Sequence, residues 1–162
     1  MAKLSSSAIE TYEKNFDIFR KTKRMLVKLE WFKDHWFVDC GIYARGIGFQ
    51  LSKIHWHNHE GQGVHLETWI DAETLGSKVM PIVMHVEPHV PNRREFIARF
   101  WALGKPKLDK MEGYTLKEEN IMELFRKEIP FVKTKAAESL VQEFDELSAL
   151  GAVIDKALKE SK

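Results

Sequence analysis

Ile54-His-Trp-His-Asn-His-Glu-Gly-Gln-Gly-Val-His-Leu-Glu-Thr-Trp-Ile-Asp71 is the stretch on which the fold turns. Val64, Leu66, Thr68 and Ile70 alternate with His65, Glu67 and Trp69, the period-two pattern of a strand with one face in a core. Ile54-His55-Trp56-His57 precedes it across a glycine-containing gap, which predicts a hairpin. A turn centred on Gly61 with an odd number of loop residues pairs Trp56 with Leu66 and Ile54 with Thr68. The opposite face then pairs His57 with His65 and His55 with Glu67. A two-residue loop would set histidines against Val64 and Leu66, so the odd register is expected.

Outward from this hairpin, Trp36 to Ala44, Gly46 to His57 and Lys78 to Glu87 are also rich in β-branched and aromatic residues. The short gaps between these segments predict an antiparallel meander of about four strands. Ile47, Phe49 and Leu51 have the opposite parity to Ile54 and Trp56. That requires a bulge near Ser52-Lys53 or burial of both faces there. Before the strands, Ser7-Ala-Ile-Glu10 reads as a capping box. It opens a long helix to about Lys33, with Ile9, Tyr12, Phe16, Phe19, Leu26 and Leu29 as its apolar stripe. After them, Pro91-Asn92 opens a helix carrying Phe96, Ile97, Phe100 and Trp101, and Lys105 to Tyr114 reads as a loop. Thr115-Leu-Lys-Glu118 reads as a second capping box, starting a short helix through Ile121 to Phe125 that stops before Pro130. A last helix from about Thr134 has the stripe Leu140, Phe144, Leu147, Ile154 and Leu158, interrupted at Gly151, and is expected to dock on the sheet. The expected fold is a single two-layer α+β domain over residues 1–162, its sheet packed by the N-terminal helix and the C-terminal helices.

Composition narrows the function classes. With 25 basic and 24 acidic residues in 162, the chain has no field for nucleic acid or an anionic membrane. Arg20, Lys21, Lys23, Arg24 and Lys28 are flanked by Glu10, Glu13, Asp17 and Glu30, the composition of a solvated helix face. A lone cysteine, Cys40, between Val38 and Ile42, reads as an inert core thiol, and cytoplasm is the expected compartment.

Six of the seven histidines fall between His55 and His89, where an even spread would place about 1.5. By the expected register, one sheet face carries His55, His57, His65, Glu67 and Trp69, with His85 and Glu87 from the next strand beside them. Imidazoles and a carboxylate converging from adjacent strands are the donor set of a divalent transition metal, for which His55, His57, His65 and Glu67 are the candidate ligands. This donor set resembles that of cupin metal sites, but the spacing departs from the cupin motif because the acid after His57 is Glu60, in the turn. The leading expectation is a binding or interaction face for a small molecule or protein, self-association included. A metal-dependent enzyme is the alternative, and a plain solvated face leaves the choice of histidine unexplained.

Specific catalytic signatures are missing. His85-Val-Glu87-Pro88 begins like a zinc deaminase motif, but one cysteine cannot supply its second half. Gly46-Ile-Gly48 lacks a third glycine and enters a strand, and there is neither a P-loop nor an H-E-x-x-H. Glu67 is followed by Thr68 and Trp69 where an E-x-K nuclease would need lysine. General acid–base work by His65 with Glu67, or by His85 with Glu87, is compatible with their spacing.

Overall fold

A computed structural model describes residues 6–43, 46–59 and 62–162. The Ser7 side chain of the first capping box, the strand end at Ala44 and the turn residue Gly61 lie outside the described parts. The chain is α+β, as expected. However, its one antiparallel sheet has six strands rather than about four, in the order β1-β2-β3-β4-β6-β5. The strands are β1 (Trp36–Ile42), β2 (Gly46–Lys53), β3 (Val64–Asp71), β4 (Val79–Val86), β5 (Thr115–Leu116) and β6 (Glu123–Pro130). The helices are α1 (Ser6–Leu26), α2 (Ala72–Ser77), α3 (Arg93–Leu108), α4 (Ala136–Ser148) and α5 (Gly151–Glu160). No helix among the described residues is long and apolar enough to cross a membrane.

One face of the sheet is the core. Ile47, Phe49 and Leu51 of β2, Leu66 and Ile70 of β3, Met80, Ile82, Met84 and Val86 of β4, and Phe125 and Ile129 of β6 are all buried. Phe49 sits between Phe19 of α1 and Phe144 of α4, each ring centre 5.4 Å away. Truncating such a fully buried ring costs about 3–5 kcal/mol.

The expected hairpin register is corrected. β2 pairs Leu51 with Leu66, Gln50 with Glu67 and Phe49 with Thr68, which moves β2 five residues from the expected alignment and inverts its faces. The parity conflict resolves because the strand ends at Lys53 and Ile54 to His57 leave the sheet in a turn. Ser52 Oγ closes the strand by donating to the Val64 carbonyl at 2.9 Å. His57 has φ 60°, which a strand would not allow.

Four helical expectations also change. α1 stops at Leu26, a 3₁₀ turn covers Glu30–Lys33, and Ile9 is exposed rather than on the stripe. His35, at φ 60°, then reverses the chain into β1. The expected short helix through Phe125 is instead β5, a turn and β6. Asn120 Oδ1 accepts from the amides of Met122 and Glu123, and the Lys117 amide bonds Leu124, so these groups serve a hairpin turn. The C-terminal helix is two helices broken around Leu150, where a Cβ on Gly151 would lie 2.7 Å from the Trp36 ring. α3 runs on through Lys105 and Pro106 to Leu108, shortening the expected loop.

Candidate functional site

The helices leave the other sheet face open, and the β3–β4 pairing builds a site there. Antiparallel register sets His65 directly opposite His85. Glu67, two residues along β3, lies on the same face. His85 Nδ1 is 2.8 Å from Glu67 Oε2, and His65 Nε2 is 3.5 Å from the same oxygen. Glu87, just past β4, brings Oε1 to 3.9 Å from both His65 Nε2 and His85 Nδ1. Ligating atoms of His65, Glu67 and His85 all lie within 4.8 Å of one another, so these three could hold a metal ion.

A hydrogen-bond relay orients His65. The Gly63 amide donates to Asn58 Oδ1 at 3.1 Å, and Asn58 Nδ2 donates to Gln50 Oε1 at 3.4 Å. Gln50 Nε2 in turn donates to Glu67 Oε1 at 3.4 Å. Asn58 Oδ1 is therefore an acceptor, and His65 Nδ1, 2.8 Å from it, must be the donor. His65 is 1% exposed, and its Nε2 has no hydrogen-bond partner. Behind His85, a register irregularity between Met84 and His85 puts Glu123 opposite it, with Glu123 Oε2 3.7 Å from His85 Nε2. Lys117 and Arg126 hold Glu123. Arg126 also lies over the Trp69 ring, 5.4 Å from its centre, and Trp69 stacks obliquely on His85.

Burial pushes the Glu67 carboxyl up, but the facing imidazoles of His65 and His85 outweigh it and bring it down to about 2. Burial pulls the His85 imidazole down, and the facing carboxylates of Glu67, Glu87 and Glu123 more than reverse this, so its pKa is raised.

Alongside Glu67 runs a cleft of about 410 Å³ lined by Tyr43, Gly46, Ile47, Glu67, Trp69, Asp71 and Glu73. Gly48 makes room for its wall, since a Cβ there would sit 2.1 Å from the Tyr43 ring. The Tyr43 hydroxyl is pushed up to about 12 by burial and by the neighbouring carboxylates, so it stays neutral.

Of the residues singled out in sequence, His65, Glu67, His85 and Glu87 come together, with Trp69 at their edge. His55 and His57 do not join them. The early end of β2 carries both to the rim of α5, where His55 Nε2 meets Asp155 Oδ1 at 2.7 Å and His57 is exposed. The proposed ligand pair His55 and His57 is thereby separated from His65 and Glu67. Asn58, Gln50, Glu123 and Tyr43 are the site's unforeseen members. Asn58 stood inside the histidine run, and Glu123 began a segment whose Phe125, Lys127 and Ile129 share a two-residue period.

No family model matches this chain, and comparison with curated proteins and with solved structures finds no match. The function must be argued from the chemistry of this face.

Proposed function

We propose that the protein is a binding domain that seats a small organic cation, an amine or amidinium, in the cleft on the open sheet face. The lining of that cleft carries the reading: two aromatic rings, three carboxylates and, among the described residues, no cationic side chain. An organic cation gains from the exposed Tyr43 ring and from the carboxylates at once, whereas an anion is repelled. Glu67 is ionised at neutral pH. Glu73 stands exposed in the first turn of α2 and is free to meet a ligand, while Asp71 caps that helix through the Thr74 amide. Association with another protein through Trp69 has less support, because Arg126 and His85 already pack against its ring.

Benzamidine and benzoate, nearly isosteric and opposite in charge, test the reading by calorimetry. Benzamidine is expected to bind at one site and benzoate not to bind. Tyr43→Ala and Glu73→Lys should each weaken benzamidine about tenfold, or ~1.4 kcal/mol. Equal binding of the two compounds, or benzamidine binding indifferent to both variants, overturns it.

A further inference from the structure

We propose that His65 Nε2, His85 Nδ1 and a carboxylate oxygen of Glu67 bind one divalent transition-metal ion, with Glu87 as a fourth donor. This goes beyond the cation cleft and does not depend on it. The two sites meet at Glu67 and where Trp69 stacks on His85.

The unpartnered nitrogen of His65 is the first ground. Its Nδ1 proton is committed to Asn58 Oδ1, so Nε2 presents either a bare lone pair or a second proton. A lone pair would face the carboxylate oxygens of Glu67 and Glu87, which are lone-pair donors themselves. A proton would stand 3.5 Å from Glu67 Oε2 and 3.9 Å from Glu87 Oε1 without the alignment of a hydrogen bond, on a side chain shut off from water. A metal ion removes the conflict, because it accepts from the nitrogen and from the carboxylates together.

Spacing is the second ground. Nitrogen and oxygen donors about 2.0–2.1 Å from a tetrahedral ion lie roughly 3.3 Å from one another. The four imidazole-to-carboxylate separations among the six donor pairs, 2.8, 3.5, 3.9 and 3.9 Å, bracket that edge, and the donor atoms of His65, Glu67 and His85 all lie within 4.8 Å of one another.

The third ground is the set of groups behind the donors. Metal-bound histidines usually give their other ring N–H to a carboxylate or amide oxygen, which fixes tautomer and orientation. Asn58 Oδ1 does this for His65, and Glu123, itself clamped by Lys117 and Arg126, stands behind His85 Nε2. Two imidazoles with two carboxylates and no thiolate suit Zn²⁺, Fe²⁺ or Mn²⁺. The side chains of His85 and Glu87 are about one-fifth exposed, so one side of the ion would be open to water. Water entering there as a fifth ligand, or in place of Glu87, would be acidified by the metal, which is what hydrolytic metal sites need.

The test uses the full chain without a histidine tag, stripped with dipicolinate and then titrated with Zn²⁺ against a chromophoric chelator. A parallel titration with Co²⁺ is read by its visible absorption. One equivalent is expected to bind in the micromolar range or tighter. His85→Gln and Glu67→Gln should each weaken it about a hundredfold, and Asn58→Leu about ten- to a hundredfold. His55→Ala with His57→Ala removes no donor and should weaken it far less than His85→Gln, its cost confined to the loop tie to Asp155. Urea midpoints of the stripped variants establish that each is folded, and an unfolded variant is replaced by His85→Asn or Glu67→Ala with the same readout. No site tighter than about 100 μM would overturn the proposal, as would binding lost with His55 and His57 but kept in the His85 variant. Neither result touches benzamidine binding, which is measured in EDTA and reads the cleft alone.

Discussion

Removing the charge at Glu67 gives the sharpest measure of how tightly the open face is wired. The carboxyl titrates at about 2 in the folded protein against an ordinary 4.5, a difference worth about 3 kcal/mol at 1.36 kcal/mol per pH unit. A carboxylate depressed by folding adds its stability above the unfolded pKa and loses it as pH falls through the folded value. The window here runs from pH 4.5 down to about 2. Glu67→Gln cannot titrate, keeps the side-chain volume, and retains an oxygen to accept from Gln50. In urea unfolding with EDTA present, wild type should exceed Glu67→Gln by about 3 kcal/mol at pH 6. At a slope of about 2 kcal/mol per molar, that separates the midpoints by roughly 1.5 M. The gap should close as pH approaches 2. Other carboxylates titrate in the same range, but they do so in both proteins, so the difference isolates this one. A gap that stays constant from pH 6 to pH 2.5 would refute the reasoning, because the cost would then come from packing rather than from charge.

His85 should give the mirror-image behaviour. Its raised pKa adds stability below about 6.5 and gives it up as pH climbs through the folded value, so wild type should lose stability relative to His85→Gln as pH rises above 6.5, as urea midpoints would show. On the helix face, Lys127 Nζ pairs with Glu143 Oε1 at 2.8 Å, and the Tyr114 hydroxyl donates to the other oxygen of Glu143. Lys127→Met strands that buried carboxylate and should cost about 3–5 kcal/mol, whereas Tyr114→Phe should cost about 1 kcal/mol in the same unfolding assay. Gly48→Ala should drive the Tyr43 ring off the sheet and weaken benzamidine to the level of Tyr43→Ala, and binding at wild-type strength would show that the ring is not the cleft wall.

β3 was legible to the residue because it alternates without interruption from Val64 to Asp71, and its polar side carries His65 and Glu67 to face His85. The hairpin before it was misread because Ile54 and Trp56 look like strand residues. Trp56 is fully buried, but its indole nitrogen bonds Asp155, 99 residues away, at 2.6 Å. Nothing local to the sequence reports such a partner. In the same way, Ile121, Met122, Leu124 and Phe125 have helical spacing, yet Ile121 and Met122 are exposed in a turn while Leu124 and Phe125 are buried in β6. Pairing along β4 outweighed that local preference and carried Glu123 and Arg126 onto the open face. Residue identity alone marked His65, Glu67, His85 and Glu87, whereas the loss of His55 and His57 follows from where a single strand stops.

The carboxylate of Asp155 on α5 takes bonds from Lys53, His55 and Trp56 together, and so moors the loop whose Asn58 orients His65. During vectorial synthesis, β3 and β4 leave the ribosome long before α5 exists. His65 and His85 can pair by then, but the loop that aims the ring lacks its tie to Asp155. The site is thus finished by one of the last elements of this sequence to be made. A nascent chain paused before α5 would hold Asn58 by its local bonds to Gly63 and Gln50 alone.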